Sequence, residues 1–168
     1  MIIYIDDYSR MVWGYMLETK SADEKICVVF KQFKAMVEGE KPRYRIQRLR
    51  CDQRIGEYTN RQSRAILKSF GIILELSAPY TQHQNGVSER KIQSIENATT
   101  SMMHASGLAQ EFWAECASTA IYLRNRSPTA APDNNIPCAM WYGRKLDLQY
   151  ISGEESCMEM HICWLYLD

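Results

Sequence analysis

The sequence predicts an α/β domain, a mixed sheet with helices packed on it. Three observations carry this prediction. Two short apolar runs near the N-terminus have strand character, strand-like and helix-like stretches alternate through the middle, and the C-terminal half is dominated by helical spacing. At 168 residues, with 46% hydrophobic and 24% charged side chains, the chain has the size and composition of one globular domain with a sizeable core.

Ile2-Ile3-Tyr4-Ile5 is a strand-type run ended by Asp6-Asp7, and Met11 to Leu17 forms a second strand across a tight Asp7-Tyr8-Ser9-Arg10 turn. Ser21 with Glu24 makes a capping box, and Ile26, Val29, Phe30, Phe33 and Val37 follow at helical spacing, predicting a helix to about Val37. Ile46 to Cys51 is a basic strand running into Asp52. Asn60 can cap a short helix carrying Ala65, Ile66 and Phe70, with Gly71 as its stop. Ile72 to Leu76 is a further strand, broken by Ser77-Ala78-Pro79-Tyr80, and Thr81 to Gly86 reads as a polar loop. A helix is predicted from Val87 to Ala105, with Ile92, Ile95, Thr99 and Met102 on one side and Gly107 closing it. Another covers Ala109 to Arg124, with Phe112, Cys116, Ala120 and Ile121 facing inward, and Pro128 forbids its extension. Pro137 can start a last short turn bearing Met140 and Trp141. After Tyr150 neither period holds.

Twenty basic and twenty acidic residues cancel overall but not locally. Between Lys41 and Arg64 eight basic side chains face two acidic ones, whereas Asp147 to Asp168 holds five acidic residues and no Lys or Arg. The six cysteines include no Cys-x-x-Cys pair and read as reduced, mostly buried thiols of an intracellular protein. The N-terminus lacks the features of a secretory signal, and no apolar run approaches the roughly 18 residues of a membrane span, so neither secretion nor membrane association is expected.

Two carboxylates occupy suggestive places. Asp52 follows a strand, and Glu89 lies near a predicted helix start behind Gln84-Asn85-Gly86. Hard cations take oxygen ligands, and a strand-end Asp with a helix-start Glu can supply part of a two-metal cage. Spacing alone is a weak signal, because twenty acidic residues offer many such pairs and most acids are simply solvated.

Several ordered motifs add to this. Ile5-Asp6-Asp7-Tyr8-Ser9-Arg10 with Trp13 resembles the "F-I-D-D-Y-S-R…W" segment of copia-type retrotransposon integrases. Leu49-Arg50-Cys51-Asp52 followed by Gly56-Glu57-Tyr58-Thr59 resembles their "L-R-S-D-N-G-G-E-Y-T". Ala78-Pro79-Tyr80-Thr81-Gln82-His83-Gln84-Asn85-Gly86-Val87-Ser88-Glu89-Arg90-Lys91 is similar nearly residue for residue to "A-P-Y-T-P-Q-Q-N-G-V-A-E-R-K". Phe112-Trp113-Ala114-Glu115, Tyr122-Leu123-Arg124-Asn125-Arg126-Ser127-Pro128 and Trp141-Tyr142-Gly143-Arg144-Lys145 continue the likeness in order.

The resemblance implies an RNase H-like mixed sheet with flanking helices. It also implies an Asp, Asp, Glu triad holding Mg²⁺ or Mn²⁺ for attack of a DNA end, or water, on a phosphodiester. By position Asp52 is the second carboxylate and Glu89 the third, both as catalytic groups and metal ligands, while Asn85, Arg90 and Lys91 are DNA-binding candidates. Arg45, Arg48 and Arg50 are weaker candidates, more simply read as solvated strand charges. The implied partners are retrotransposon and target DNA and a second copy of the chain, and the implied location of a working element is the nucleus.

Three departures qualify the expectation. The family's first Asp stands on a central strand upstream of the "I-D-D-Y-S-R" segment, so the chain is expected to lack that first strand and its carboxylate. Asp6 and Asp7 are expected in turn and strand-end roles rather than as replacements. Unless the two strands flanking the gap pair directly, the chain is expected to fold poorly. The run Asp52-Gln53-Arg54-Ile55-Gly56-Glu57 is one residue longer than the family pattern and has lost a glycine. Residues 151–168 depart from the family altogether, and Cys157, His161 and Cys163 there are read as incidental rather than as a zinc site. The domain reading is therefore a partial integrase core over 1–150 and a divergent acidic tail over 151–168. The functional expectation is DNA integration by descent, with metal binding weakened or lost and this chain inactive alone. The alternatives are a non-catalytic DNA-binding remnant and a fragment of a decayed element without molecular activity.

Overall fold

A computed structural model describes residues 1–17, 23–51, 60–76, 82–129 and 135–144. The described chain forms β1 (Ile2–Ile5), β2 (Val12–Tyr15), α1 (Asp23–Glu40), β3 (Arg48–Cys51), α2 (Arg61–Ser69), β4 (Ile73–Leu76), α3 (Gln82–Ser106), α4 (Trp113–Arg126) and α5 (Pro137–Tyr142), with a 3₁₀ turn at Gln110–Phe112. It divides into two compact units, one of residues 1–16 with 90–168 and the other of residues 17–89.

In the first unit β1 and β2 form an antiparallel hairpin in the register Ile2↔Tyr15 to Ile5↔Val12. The turn is held by Asp6, whose Oδ2 accepts from both the N–H and the hydroxyl of Ser9 at 2.7 Å. Arg10 adopts the left-handed region, φ 61°, and its N–H bonds to the Asp6 carbonyl at 3.0 Å. The Asp6 N–H bonds to the Met11 carbonyl, which makes alternate pairs the hydrogen-bonded ones and Ile5/Val12 a non-bonded pair. Val12's own N–H and C=O consequently point away from β1. Asn125 of α4 meets them both: Oδ1 accepts from Val12 N at 2.9 Å, and Nδ2 donates to Val12 O at 2.7 Å.

Val12, Ile95, Ala120 and Ile121 form the buried centre of this unit, flanked by Ile3, Ile5, Met16, Ala98 and Met102. The expected helical face Ile92, Ile95, Thr99 and Met102 is thus the face that packs, with Ile95 fully buried. Gly14 lies so close to α4 that a Cβ there would overlap Ile121 Cδ1. On the other side of the hairpin Trp13 meets Trp141 of α5 edge-to-face at 4.8 Å. Pro137 opens α5 as predicted.

In the second unit Ile26, Cys27, Val29, Phe30, Phe33 and Val37 bury one face of α1. The predicted stop at Val37 falls short. The helix continues to Glu40, supported by the Lys34–Glu38 pair at 2.6 Å and the Lys41 N–H on the Val37 carbonyl. Asn60 caps α2 by accepting from Ser63 N at 2.7 Å. The buried residues of α2 are Ser63 and Leu67, while Ala65 and Phe70 are exposed. The stripe is set by the contact with α1, where Cys27 Sγ lies 3.5 Å from Ser63 Oγ. Beyond α2, Gly71 at φ 69° turns the chain toward β4, which pairs in parallel with β3 from Arg48↔Ile73 to Cys51↔Leu76.

Two further expectations are corrected, and one of two open alternatives for the strands is not found among the described residues. Residues 82–86 of the predicted Thr81–Gly86 loop are helical, the first turns of α3. Their glutamines favour helix, and the roughly 1 kcal/mol cost of Gly86 is small beside continued backbone bonding. Phe112 is exposed because it ends a 3₁₀ turn, whose period of three residues does not share the phase of α4. Direct pairing across the sheet gap is not what the described strands form: they make two separate two-stranded sheets. The Ser21–Glu24 capping box, the Ser77–Tyr80 break and the 151–168 tail lie outside the described residues or side chains. Among the described residues no disulfide forms: Cys27, Cys116 and Cys138 are buried and Cys51 is half-buried.

Candidate functional site

β3 ends at Cys51, immediately before Asp52. Asp52 and the altered turn that follows it lie outside the described residues, as does the side chain of Asn85, whose backbone is in the first turn of α3. Glu89 and Arg90 are exposed on α3, and Lys91 is half-buried. Two residues along a helix turn through roughly 200° about its axis, so Glu89 and Lys91 address different sides of α3.

The strand arginines are engaged by acids. Arg48 Nη1 and Arg50 Nη2 bond to the two oxygens of Glu75 at 2.9 and 3.0 Å, a cross-strand arrangement on β3 and β4. The Arg50 hydrogen bond, with that of Arg48 and both charges, outweighs partial desolvation and holds the Glu75 carboxyl below its ordinary range. Arg45 bonds to the carbonyls of Pro42 and Tyr44 and lies 3.8 Å from Glu38. These contacts account for the three arginines within their own unit.

Around Lys91 the electrostatics run the other way. Burial lowers its ammonium pKa, and the charges of Arg124 and Arg10 lower it further. Arg124 Nη2 donates to Ser94 Oγ on α3, one turn beyond Lys91. Arg10 and Arg124 come from the β1–β2 turn and α4, elements far from Lys91 in sequence, so no local spacing signals their effect on it.

Asp6 is occupied by Ser9, and Asp7 by Arg10 Nη1 at 2.5 Å, which agrees with turn roles for both. Among the described residues no three His, Cys, Asp or Glu side chains gather as a metal site. No described helix is long and apolar enough to cross a membrane.

The mixed architecture has clear counterparts. The chain superimposes with a TM-score of 0.67 on a chain of the simian T-cell lymphotropic virus intasome, at 13% identity over 86% of this chain and 49% of that one. It superimposes at 0.60 on the HTLV-2 integrase catalytic core solved in complex with magnesium, at 13% identity over 81% and 80% of the two chains. The class is therefore the RNase H-like fold of integrase catalytic cores. The integrase core domain model matches residues 1–82. The chain is 37% identical over 150 residues to the retrovirus-related Pol polyprotein from transposon TNT 1-94 of Nicotiana tabacum, covering 89% of this chain and 11% of the relative. It is 33% identical over 144 residues to that from transposon RE2 of Arabidopsis thaliana, covering 85% and 9%. The chain belongs to the integrase cores of LTR-retrotransposon Pol polyproteins. It spans about a tenth of the length of these curated relatives.

Proposed function

We propose that this chain is a DNA-binding integrase core of the copia type, built for metal-dependent polynucleotidyl transfer, and that the 168-residue polypeptide alone does not join DNA strands. The observation carrying this reading is the ordered likeness to the transposon Pol polyproteins across 89% of the chain, which spans both Asp52 and Glu89-Arg90-Lys91. Asp52 and Glu89 would hold Mg²⁺ or Mn²⁺, since carboxylate oxygens are the donors such ions prefer. The bound ions would polarise a phosphodiester and activate the attacking hydroxyl. Asn85, Arg90 and Lys91 would position the DNA backbone by donating to phosphate oxygens. Two carboxylates make a weaker cage than three, and Asp6 and Asp7 are already engaged within the β1–β2 turn.

The test is a strand-transfer assay with an oligonucleotide donor and Mn²⁺. No joined product is expected, and joining that disappears in Glu89→Gln would refute the inactivity. Binding to duplex DNA is expected to weaken as salt rises and to fall in Arg90→Ala and Lys91→Ala. Affinity indifferent to ionic strength would remove the DNA-binding reading as well.

A further inference from the structure

We propose that the groove between α2 and β4 is a docking site for an extended acidic peptide of a partner protein, which adds as a strand along the free edge of β4 and sets its carboxylates against Arg64 and Lys68. The site lies wholly within the unit of residues 17–89 and does not depend on the DNA reading above.

The backbone of β4 is open on one side. Ile73 N–H donates to the Gln47 carbonyl at 2.9 Å, so Ile73 and, two residues on, Glu75 turn their peptide groups toward β3. Leu74 lies between them and turns its N–H and C=O to the opposite edge. Among the described residues β4 has no neighbour there, because its sheet consists of β3 and β4 alone. Native edges are commonly blocked by Lys, Pro or a bulge, and β4 carries none of these. Its one charge, Glu75, is bonded to Arg48 and Arg50 of β3.

Beside this edge runs a groove of about 410 Å³, lined by Leu67, Ile72, Leu74 and Leu76 together with Arg64 and Lys68. A strand laid along β4 would send alternate side chains into it, the way edge-adding peptides gain both affinity and specificity. The charge of the groove selects acids. Arg61, Arg64 and Lys68 stand at i, i+3 and i+7 on one exposed stripe of α2. Among the described residues none of the three has an ion-pair partner. The stripe does not serve the helix itself: Arg61 opens α2 against the helix dipole, with no acid in the first turn, and Arg64 and Lys68 repel one turn apart. Those two residues are about 6 Å apart along the helix axis. Alternate side chains of a strand are spaced by about 6.7 Å, so two acids two residues apart in the peptide match the two cations. A nucleic-acid backbone would engage the cations but leave the apolar floor and the strand edge unused.

The probe is a fluorescein-labelled peptide, Thr-Leu-Thr-Glu-Thr-Glu-Thr-Leu-Thr, titrated with the full chain and followed by anisotropy. Saturable binding that weakens as salt rises is expected, and the same peptide with Lys in place of Glu should not bind. The double variant Arg64→Glu, Lys68→Glu changes only exposed side chains. It should lose at least about tenfold in affinity for the Glu peptide, because like charges then face each other, and gain the Lys peptide, which a misfolded chain would not do. Two further peptides carry N-methyl groups either on the Thr amides or on the Leu and Glu amides. Only one set of amides points at β4, so one peptide should lose binding and the other keep it. Equal binding of the two overturns strand addition. A double variant that binds the Glu peptide like the wild type overturns the role of Arg64 and Lys68. If the Glu peptide does not bind while the double variant loses duplex-DNA affinity, the stripe serves nucleic acid and the docking site falls.

Discussion

Asn125→Ala removes both partners of Val12's outward backbone groups. Val12 is 1% exposed and Asn125 5%, so water cannot readily replace the lost amide. Each stranded buried group costs about 1–3 kcal/mol, which puts the variant near 4 kcal/mol less stable. That is a large fraction of the roughly 5–15 kcal/mol typical of a domain. At about 2–4 °C per kcal/mol for a chain of this length, the melting temperature should fall on the order of 10 °C. Urea unfolding monitored by tryptophan fluorescence measures the difference directly. Asn125→Asp sharpens the test, because the ionised carboxylate keeps the acceptor for Val12 N but sets a negative charge against Val12 O. The folded-state pKa of that Asp should be raised. Its protonated form therefore supplies stability that is fully present below the unfolded value near 3.9 and is lost as pH rises through the folded one. Asn125→Ala within about 0.5 kcal/mol of wild type, or Asn125→Asp with the wild-type pH profile, would refute the clamp.

Two other outcomes follow from packing and charge. Gly14→Ala should destabilise the hairpin by about 1–3 kcal/mol through overlap with Ile121, and Ile121→Val, which removes the Cδ1 atom, should recover part of the loss in a double-mutant cycle. Glu38 is raised by burial, but the Lys34 and Ile46 hydrogen bonds and the charges of Lys34 and Arg45 outweigh this and leave its carboxyl lowered from 4.5. Its contribution to stability is present above pH 4.5 and lost as pH falls through the lowered value, so Glu38→Gln should flatten the acid limb of the stability curve.

What could be read from the sequence was local. The apolar spacing of α1, the Asn60 cap, the Pro137 start and the glycine stops depend on residues within a few positions of one another. The family motifs could be read for the same reason, because they are contiguous strings. One misreading arose where an element elsewhere along the chain decides, and two where competing local signals do. The α2 stripe follows α1, putting Ser63 rather than Ala65 inside. Phe112 takes its phase from a 3₁₀ turn. The Gln82–Gly86 stretch has a loop's polarity but a helix's propensity, and α3 claims it. The same limit hid the Arg124–Ser94 bond, which joins α4 to α3.

The hydrogen bonds of Val12 with Asn125 span 113 positions, and the unit containing them is interrupted by residues 17–89. The β1–β2 ladder closes locally, whereas the amide clamp must wait for a long excursion of chain to return. The clamp should therefore form after the rate-limiting step, so that disrupting it hastens unfolding and leaves the refolding rate nearly unchanged in stopped-flow measurements. Residues 17–89, being continuous, face no such wait, and during synthesis they can settle before the chain that completes the other unit has emerged.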